Sequence, residues 1–309
     1  MQRVNKEARI LVNLGAPEMP TSECAEDFLF EFLSDKYVLS LPQPLRMGLA
    51  YLISKKRKYD YAESLQRVFE NNIHILKKHT QNLAKKIAEI DKKEVHVAYR
   101  YGKDNIESVV KNLQKQGYTK FLFALMYPQQ TCSTTETACK VISQILKADN
   151  YKIATPYFDN PMFISALAET VEKETKTLVV SFHSIPLSHA KKSPYVQQCR
   201  TTTKLLALKL GITDVHIAWQ SAMPKGKWLK PSAIEVVEKL AKEGKHTISV
   251  IAPSFACDCS ETLFELAYDL KEKFYQCGGK NFNLSTCLNS SDAHAQLFST
   301  IFKTLETTK

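Results

Sequence analysis

Short apolar runs alternate with longer amphipathic stretches along almost the whole chain. The runs are rich in β-branched residues, which is typical of strands, and the amphipathic stretches have the period of helices. The pattern predicts strands over 8–14, 94–101, 120–127, 153–157, 177–182, 214–219, 246–252 and 282–288. It predicts helices from Thr21 or Ser22, then over 61–89, 104–117, 134–148, 161–175, 195–210, 231–243, 260–276 and 291–306. Strands that alternate with helices form parallel sheets in the α/β class.

The two halves of the chain repeat this rhythm at similar length. We therefore expect two doubly wound, Rossmann-like or flavodoxin-like domains, residues 1–150 and 151–309, with a cleft between them. The sequence does not decide where the last helix, 291–306, packs. It could cross back and pack on the first domain.

Residues 37–60 break the rhythm. They mix many apolar residues with two prolines and end in the basic cluster Lys55–Lys58. Such a stretch is expected to form a lid over a ligand, a lip that touches a membrane, or a surface helix packed on its own domain.

Composition narrows the class of protein. The 309 residues carry a formal charge of +10, and most of the excess is lysine on helix faces. No nucleic-acid-binding signature, Walker loop or Gly-x-Gly-x-x-Gly is present, and only nine glycines occur. The eight cysteines are scattered and no signal peptide or membrane-spanning run is seen, which favours a cytoplasmic protein with reduced thiols.

Polar residues are expected to gather where the parallel strands end. His183 follows the buried run Leu178–Val180, at the sheet edge where α/β proteins bind ligands. A neutral imidazole there can accept a proton or bind a metal near pH 7. Glu261 begins a later helix, where it either caps the helix or faces His183 as a proton or metal partner.

Two further stretches carry weaker signals. Cys257-Asp-Cys259 is a poor metal motif, because a structural site needs four ligands. The loop 219–231 holds both tryptophans; Trp228 either stacks on a flat aromatic ligand or fills a gap in the core.

Six motifs in order resemble those of one family, the ferrochelatases, which insert ferrous iron into a porphyrin. The resemblance covers nearly the whole chain, and the motifs lie at 13–17, 99–102, 127–135, 181–186, 219–231 and 258–263. The resemblance implies two chelatase-like α/β domains and iron insertion into protoporphyrin IX to give protoheme, the terminal step of heme biosynthesis. A chelatase for coproporphyrin or sirohydrochlorin, or a non-catalytic heme carrier, is the alternative.

The resemblance also implies residue roles. His183 would take pyrrole protons, bind iron or do both, with Glu261 as its acidic partner and fellow metal ligand. The positions expected to line the porphyrin pocket are Leu14, Arg100, Tyr127, Ser221 and Trp228. Arg100 and Lys55–Lys58 could meet porphyrin propionates. Residues 37–58 match the family's pocket lip, which implies peripheral contact with the inner face of the membrane. A monomer and a homodimer both remain open.

The sequence departs from the family pattern at two cysteines. Cys259 stands where many members have a second histidine, which affects any relay that needs an imidazole there. Cys132 matches a position that ligates an iron–sulfur cluster in some members, whose other three ligands lie in a C-terminal extension; this sequence stops at Lys309. We therefore expect no cluster and no tightly bound cofactor, with ferrous iron as a substrate only.

Overall fold

The computed structural model describes residues 6–223 and 226–308. Its strands are β1 (Lys6–Asn13), β2 (Phe69–Glu70), β3 (Ile73–His74), β4 (Val95–Tyr99), β5 (Tyr118–Leu125), β6 (Tyr151–Ile153), β7 (Thr177–His183), β8 (Asp214–Gln220), β9 (Thr247–Ile251) and β10 (Asn281–Leu284). Its α-helices are α1 (Ser22–Leu33), α2 (Gln43–Gln66), α3 (Ile75–Asp91), α4 (Ile106–Lys115), α5 (Thr137–Ile145), α6 (Pro161–Thr170), α7 (Leu187–Ala190), α8 (Tyr195–Leu210), α9 (Ala233–Lys242), α10 (Lys271–Gln276) and α11 (Asp292–Thr307).

The first compact unit contains a parallel sheet with strand order β4-β1-β5-β6. β1 lies between two neighbours, so its apolar run Ile10–Val12 is fully buried. This burial on both faces explains why the run is continuously apolar rather than alternating. The unit comprises residues up to 126, 132–155 and 295 onward.

The second compact unit, residues 127–131 and 156–294, contains a parallel sheet with order β10-β9-β7-β8. β7 is a central strand, and the side chains of Leu178–Val180 have no exposed surface. The prediction of a buried parallel strand is confirmed here. Two parallel-sheet α/β units are thus present, as the alternating pattern indicated.

The boundary set at residue 150 needs correction. β6 begins at Tyr151 but pairs with β5, so the first sheet extends past that boundary. The segment 127–131 belongs to the second unit, and the last helix contributes the segment from Ala295 onward to the first. A pattern of strands and helices does not reveal which sheet a short edge strand joins, because pairing is a tertiary property.

The prediction of one helix over 61–89 is wrong, and most of residues 37–60 belong to a helix, which was one of the three alternatives for that stretch. Residues 43–66 form α2, a hairpin of β2 and β3 follows, and α3 begins at Ile75. Asn71 and Asn72, at the hairpin tip, have φ of +50° and +61°. Two successive left-handed residues are typical of a type I′ turn, which suits Asn. The Asn-Asn pair was the signal that marks this break.

Other element bounds differ by a few residues, and two helices begin unusually. π-helical segments, Cys132–Glu136 and Glu261–Leu270, precede α5 and α10. π-helical turns are rare in proteins and are frequent at functional sites. The predicted strands 153–157 and 282–288 are instead β6 and the short β10. No helix among the residues described has both the length and the apolar content to cross a bilayer.

A buried ionic network joins α11 to the sheet of the first unit. Arg9, on β1, contacts Asp91 at 2.5 Å and Glu306 at 2.7 Å. Asp91 Oδ1 also accepts from Ser299 Oγ and Lys303 Nζ, both at 2.7 Å. Since the Arg9 and Asp91 side chains are 4% and 1% exposed, this network is well shielded from water.

Candidate active site

His183 is the last residue of β7, at the carboxyl edge of the second sheet. Its register partner is Gln220, the last residue of β8. Two hydrogen bonds fix its backbone: its N–H donates to Ser254 Oγ at 3.3 Å, and its carbonyl accepts from Tyr195 Oη at 2.9 Å. The buried strand therefore presents the imidazole from a rigid support.

Glu261 reaches His183 from the neighbouring strand. β9 ends at Ile251, the loop 252–260 follows, and Glu261 begins the π-helical segment. Its Oε1 lies 3.2 Å from His183 Nε2. The two side chains are 39% and 34% exposed, so the pair is open to a ligand. The structure thus brings together the two residues singled out as a pair.

Charge within the pair decides its protonation. Burial alone lowers the pKa of His183, but the charge and hydrogen bond of Glu261, with the carbonyl of Ser184, raise it to about 9. Burial raises the pKa of Glu261, yet the imidazolium outweighs this and holds it below its ordinary value. Nδ1 donates to the Ser184 carbonyl at 2.6 Å, because a carbonyl only accepts. The free site therefore holds an imidazolium–carboxylate pair near neutral pH, rather than a neutral imidazole.

The second Glu261 oxygen faces a thiol. Cys259 Sγ lies 3.7 Å from Glu261 Oε2 and is the donor. Burial, and then the nearby carboxylate of Glu261, raise the pKa of this thiol well above its ordinary value, so it keeps its proton. Cys259, which stands where many members of the family described above carry histidine, thus donates to the Glu261 carboxylate.

A second acid, Glu265, lies four residues further along the π-helical segment, and our sequence analysis missed it. Burial raises its pKa, Ser221 Oγ donates to Oε2 at 2.5 Å, and the charge of Glu261 raises the pKa further. Ser221 itself has a φ of +62°. The spacing of four residues from Glu261 was the available signal. The predicted ligand contact Ser221 is therefore held by an acidic side chain beside the pair.

Gln220 ties the strand ends together. Its side chain accepts from Ser181 Oγ at 2.8 Å and donates to the Glu261 carbonyl at 3.3 Å. Its own carbonyl accepts from the N–H of Ser184 at 2.8 Å. One amide side chain therefore couples β7, β8 and the start of the π-helical segment.

Trp228 follows β8 in the loop 219–231, of which Pro224 and Lys225 lie outside the described residues. It is half-buried and pairs with Pro186, just beyond His183. Gly226 lies beneath the indole, since a Cβ there would approach Nε1 to 3.1 Å. The loop therefore returns to the carboxyl end of β7, on which His183 lies.

The remaining predicted ligand contacts are divided between the units. Tyr127 is buried in the second unit. Leu14 and Arg100 lie in the first, where Leu14 follows β1 and Arg100 follows β4. The Arg100 guanidinium donates to Thr137 Oγ1 at 2.7 Å and pairs with Asp35 at 2.5 Å. Arg100 is thus already engaged inside its own unit, and its contact with a propionate stays a prediction.

The donor set of the pair suits a transient metal. Imidazole nitrogen and carboxylate oxygen are acceptable ligands for ferrous iron. Among the residues that the structure describes, no group of three or more His, Cys, Asp or Glu side chains is placed to hold a metal ion. The weak Cys257–Cys259 motif therefore gains no third ligand among those residues.

Comparison with solved structures relates the fold to chelatases. SirB from Bacillus subtilis with Fe3+ superposes with a TM-score of 0.61 at 12% identity, covering 98% of this chain and 96% of that one. CbiX, described as the terminal enzyme for biosynthesis of siroheme in denitrifying bacteria, gives 0.53 at 11% identity, covering 97% and 98%. At such low identity these matches show a shared fold.

Sequence comparison identifies the family. The family model for ferrochelatase matches residues 6–305. Ferrochelatase 1 of Shewanella oneidensis is 34% identical over 311 residues, covering 93% of this chain and 92% of that protein. The ferrochelatase of Francisella tularensis subsp. novicida is 34% identical over 317 residues, covering 96% and 94%. This chain belongs to the ferrochelatase family.

Proposed function

We propose that this protein inserts ferrous iron into protoporphyrin IX. In the balanced reaction, Fe2+ replaces two pyrrole N–H protons, so protoheme forms and two protons leave. The reaction changes no oxidation state. It needs a proton acceptor beside the macrocycle and a path by which the metal approaches the pyrrole nitrogens.

The contact of His183 Nε2 with Glu261 Oε1 at 3.2 Å carries this proposal. It supplies a nitrogen base and a carboxylate side by side at the carboxyl edge of a parallel sheet, where α/β proteins bind ligands. A pyrrole proton and Fe2+ compete for the same Nε2 lone pair. The proton held in the free site must therefore leave before Nε2 either accepts a pyrrole proton or binds iron.

Binding energy is the second requirement. A flat porphyrin hides its lone pairs in the ring plane, so metalation needs a distorted macrocycle whose pyrroles tilt. Rigid side chains can supply that strain from binding energy. Trp228, which bridges to Pro186 and lies against Gly226, and Phe255, whose ring centroid lies 6.3 Å from that of His183, are apolar surfaces at this end of β7. We propose that they contact the macrocycle.

The test is an anaerobic assay of Fe2+ insertion into protoporphyrin IX, followed by the heme absorption spectrum. Parallel assays use coproporphyrin and sirohydrochlorin, each with Fe2+ and with Co2+. Faster turnover of protoporphyrin IX with Fe2+ supports the proposal. Preference for another tetrapyrrole would reassign the substrate, and tight heme retention without any metalation would identify a carrier.

We also propose that α2 contacts a membrane surface. Leu45, Leu49, Leu52 and Tyr59 lie along one stripe of α2 at spacings of four, three and seven residues. Their exposed fractions are 65%, 38%, 65% and 67%. The opposite face carries Ala50, Ser54, Ala62 and Leu65, which are buried. Lys56 lies within this stripe, four residues after Leu52 and three before Tyr59, and its side chain is exposed. An apolar stripe that carries a lysine suits anionic lipid, because the apolar side chains insert while the cation meets the headgroups.

Replacing Leu45, Leu49 and Leu52 by Gln should weaken binding to vesicles of mixed neutral and anionic phospholipid by more than about tenfold, since each leucine loses roughly 1 kcal/mol or more of burial. Co-sedimentation with vesicles measures the effect. Leu208→Gln is the matched control, because Leu208 is 68% exposed on α8. Equal vesicle binding by the triple variant and wild type would exclude α2 as the contact.

We propose that the protein binds no iron–sulfur cluster. Cys132 opens the π-helical segment before α5, and no group of ligands forms around it among the residues described. Protein purified anaerobically and free of bound porphyrin should contain no acid-labile sulfide, and Cys132→Ser should retain full iron insertion. Acid-labile sulfide that Cys132→Ser removes would contradict this.

A further inference from the structure

Asn289, in the loop between β10 and α11, is bonded to the loop that carries Glu261. Its Oδ1 accepts from the N–H of Asp258 at 2.8 Å, and its Nδ2 donates to Asp258 Oδ2 at 2.6 Å. Its own N–H donates to the carbonyl of Ala256 at 3.0 Å. Asn289 belongs to none of the six motifs, and 28 residues separate it from Glu261 along the chain.

Asp258 passes this constraint to the start of the π-helical segment. Thr262 Oγ1 donates to Asp258 Oδ1 at 3.0 Å and accepts from the N–H of Cys259 at 3.0 Å. These contacts tie Asp258 and Cys259 to Thr262, and Glu261 is the residue directly before Thr262. Asp258 and Thr262 are 8% and 2% exposed, so water does not replace these bonds readily.

The backbone of Asn289 is adapted to this position. Its φ of +49° lies in the left-handed region, which asparagine tolerates well. Its carbonyl accepts from His294 Nδ1 at 2.6 Å. The residue is therefore fixed on both its backbone and its side chain, as a rigid anchor requires.

We propose that Asn289 is a positioning residue that, through Asp258 and Thr262, holds the Glu261 carboxylate against His183. This inference rests on the proposed function for its consequence in turnover, but its geometry is testable without any substrate. Asn289 touches neither reacting group, so its loss misplaces Glu261 without removing a ligand. A misplacement of about 1 Å can cost up to roughly 100-fold in rate.

Asn289→Gly is the first variant, because glycine adopts the left-handed φ without strain and removes only the side chain. We expect kcat for iron insertion to fall about 10- to 100-fold, while KM for porphyrin stays within about twofold. Asn281→Ala is the matched control. Its amide donates to Thr247 Oγ1 at the amino ends of β10 and β9, far along the strands from Glu261, and kcat should not change.

Exchange of the two partners gives the sharper test. Asn289→Asp alone places two carboxylates face to face. Asp258→Asn alone turns an amide N–H2 either toward Asn289 Nδ2 or toward the N–H of Cys287, which donates to Asp258 Oδ1 in the wild type. Both single variants should therefore lose activity. In the double variant Asp258→Asn/Asn289→Asp, the side-chain hydrogen bond between the two residues is restored with its direction reversed, and the backbone N–H of residue 258 again donates to residue 289. We expect it to recover kcat to within about threefold of wild type. A folded double variant no better than the single variants would overturn the proposal, even if Asn289→Gly fails to fold.

A crystal structure of Asn289→Gly supplies a readout that is independent of turnover. The distance between His183 Nε2 and Glu261 Oε1 should exceed hydrogen-bonding range instead of 3.2 Å. An unchanged contact together with wild-type kcat would refute the positioning role. Absence of iron insertion in the wild type would instead refute the proposed function, and this distance would still decide the role of Asn289.

Discussion

Alanine in place of His183 is expected to abolish iron insertion, lowering kcat by at least about 1,000-fold, while porphyrin still binds. The change removes the only group that contacts Glu261 Oε1 at 3.2 Å in the described site. It takes away both the nitrogen that can accept a pyrrole proton and a ligand for Fe2+. The apolar surfaces around the pair stay in place, so quenching of porphyrin fluorescence should give a Kd close to that of wild type.

The measurement is an anaerobic single-turnover assay, with His246→Ala as the matched control. His246 is exposed just before β9, at its amino end, and its Nδ1 donates to the Gly278 carbonyl at 2.9 Å, so its loss should leave kcat unchanged. Substantial turnover by His183→Ala would remove His183 from the chemistry. Loss of porphyrin binding in the same variant would indicate a binding role instead.

Sequence reasoning located His183 because strand β7 is simple. A continuous β-branched run buried on both faces ends in a polar residue, and the sheet topology then dictates where that residue lies. Glu261 was found for a related reason, since its strand ends at the same edge. The residues alone left its role open between helix cap and partner of His183, and the resemblance implied the partner. The structure places its Oε1 3.2 Å from His183 Nε2.

The sequence left residues 37–60 open between a lid, a membrane lip and a surface helix, because α2 carries large apolar residues on its exposed face. Leu45, Leu49 and Leu52 face solvent while the small residues Ala50 and Ser54 pack inward. Period-based reasoning assumes that apolar side chains face the core, and this helix reverses that assumption. The reversal is itself informative, since a helix that spends its large apolar residues on the outside is expected to meet a partner or a lipid surface.

The supporting contacts of the site were beyond sequence reasoning for a different reason. Tyr195 and Ser254 each bond the backbone of His183, and Asn289 bonds the loop that precedes Glu261. No periodicity or spacing relates these positions, because the contacts depend on how loops return to one sheet edge. Glu265 is the exception, as its spacing of four residues from Glu261 places both on neighbouring turns of one helical segment.

The protonation state of the His183–Glu261 pair also could not be predicted from the sequence, because it depends on the distance between the two side chains. The expectation of a neutral imidazole came from the ordinary pKa of histidine, about 6.5. Contact with a carboxylate that is itself half-buried raises the pKa of His183 to about 9, after burial alone would have lowered it. We therefore propose the His183–Glu261 pair, rather than a neutral imidazole alone, as the acceptor of pyrrole protons, with a proton to release before iron binds.

Replacing Asp91 by alanine is expected to destabilise the first unit by about 3 kcal/mol. Arg9 would then lie almost fully buried with only Glu306 as a charged partner, and Ser299 and Lys303 would lose their acceptor. The loss of stability comes from leaving the buried Arg9 charge without its main partner. This loss is larger than the net stabilisation that the intact ion pair contributes. Urea unfolding followed by circular dichroism, with the slope of the transition held common, measures the change.

Glu107→Ala is the matched control, because the Glu107–Lys111 pair on α4 is exposed and should contribute less than about 0.5 kcal/mol.

The effect of Asp91→Ala should also depend on pH. Burial raises the pKa of Asp91, but Lys303, Ser299 and Arg9 outweigh it and hold that pKa below its ordinary value. A depressed pKa contributes stability above the unfolded pKa, near 3.9, and that stability is lost as pH falls through the folded pKa. The difference in free energy of unfolding between wild type and Asp91→Ala should therefore decrease below about pH 4. A difference that is small and constant at every pH would show that the network does not anchor α11.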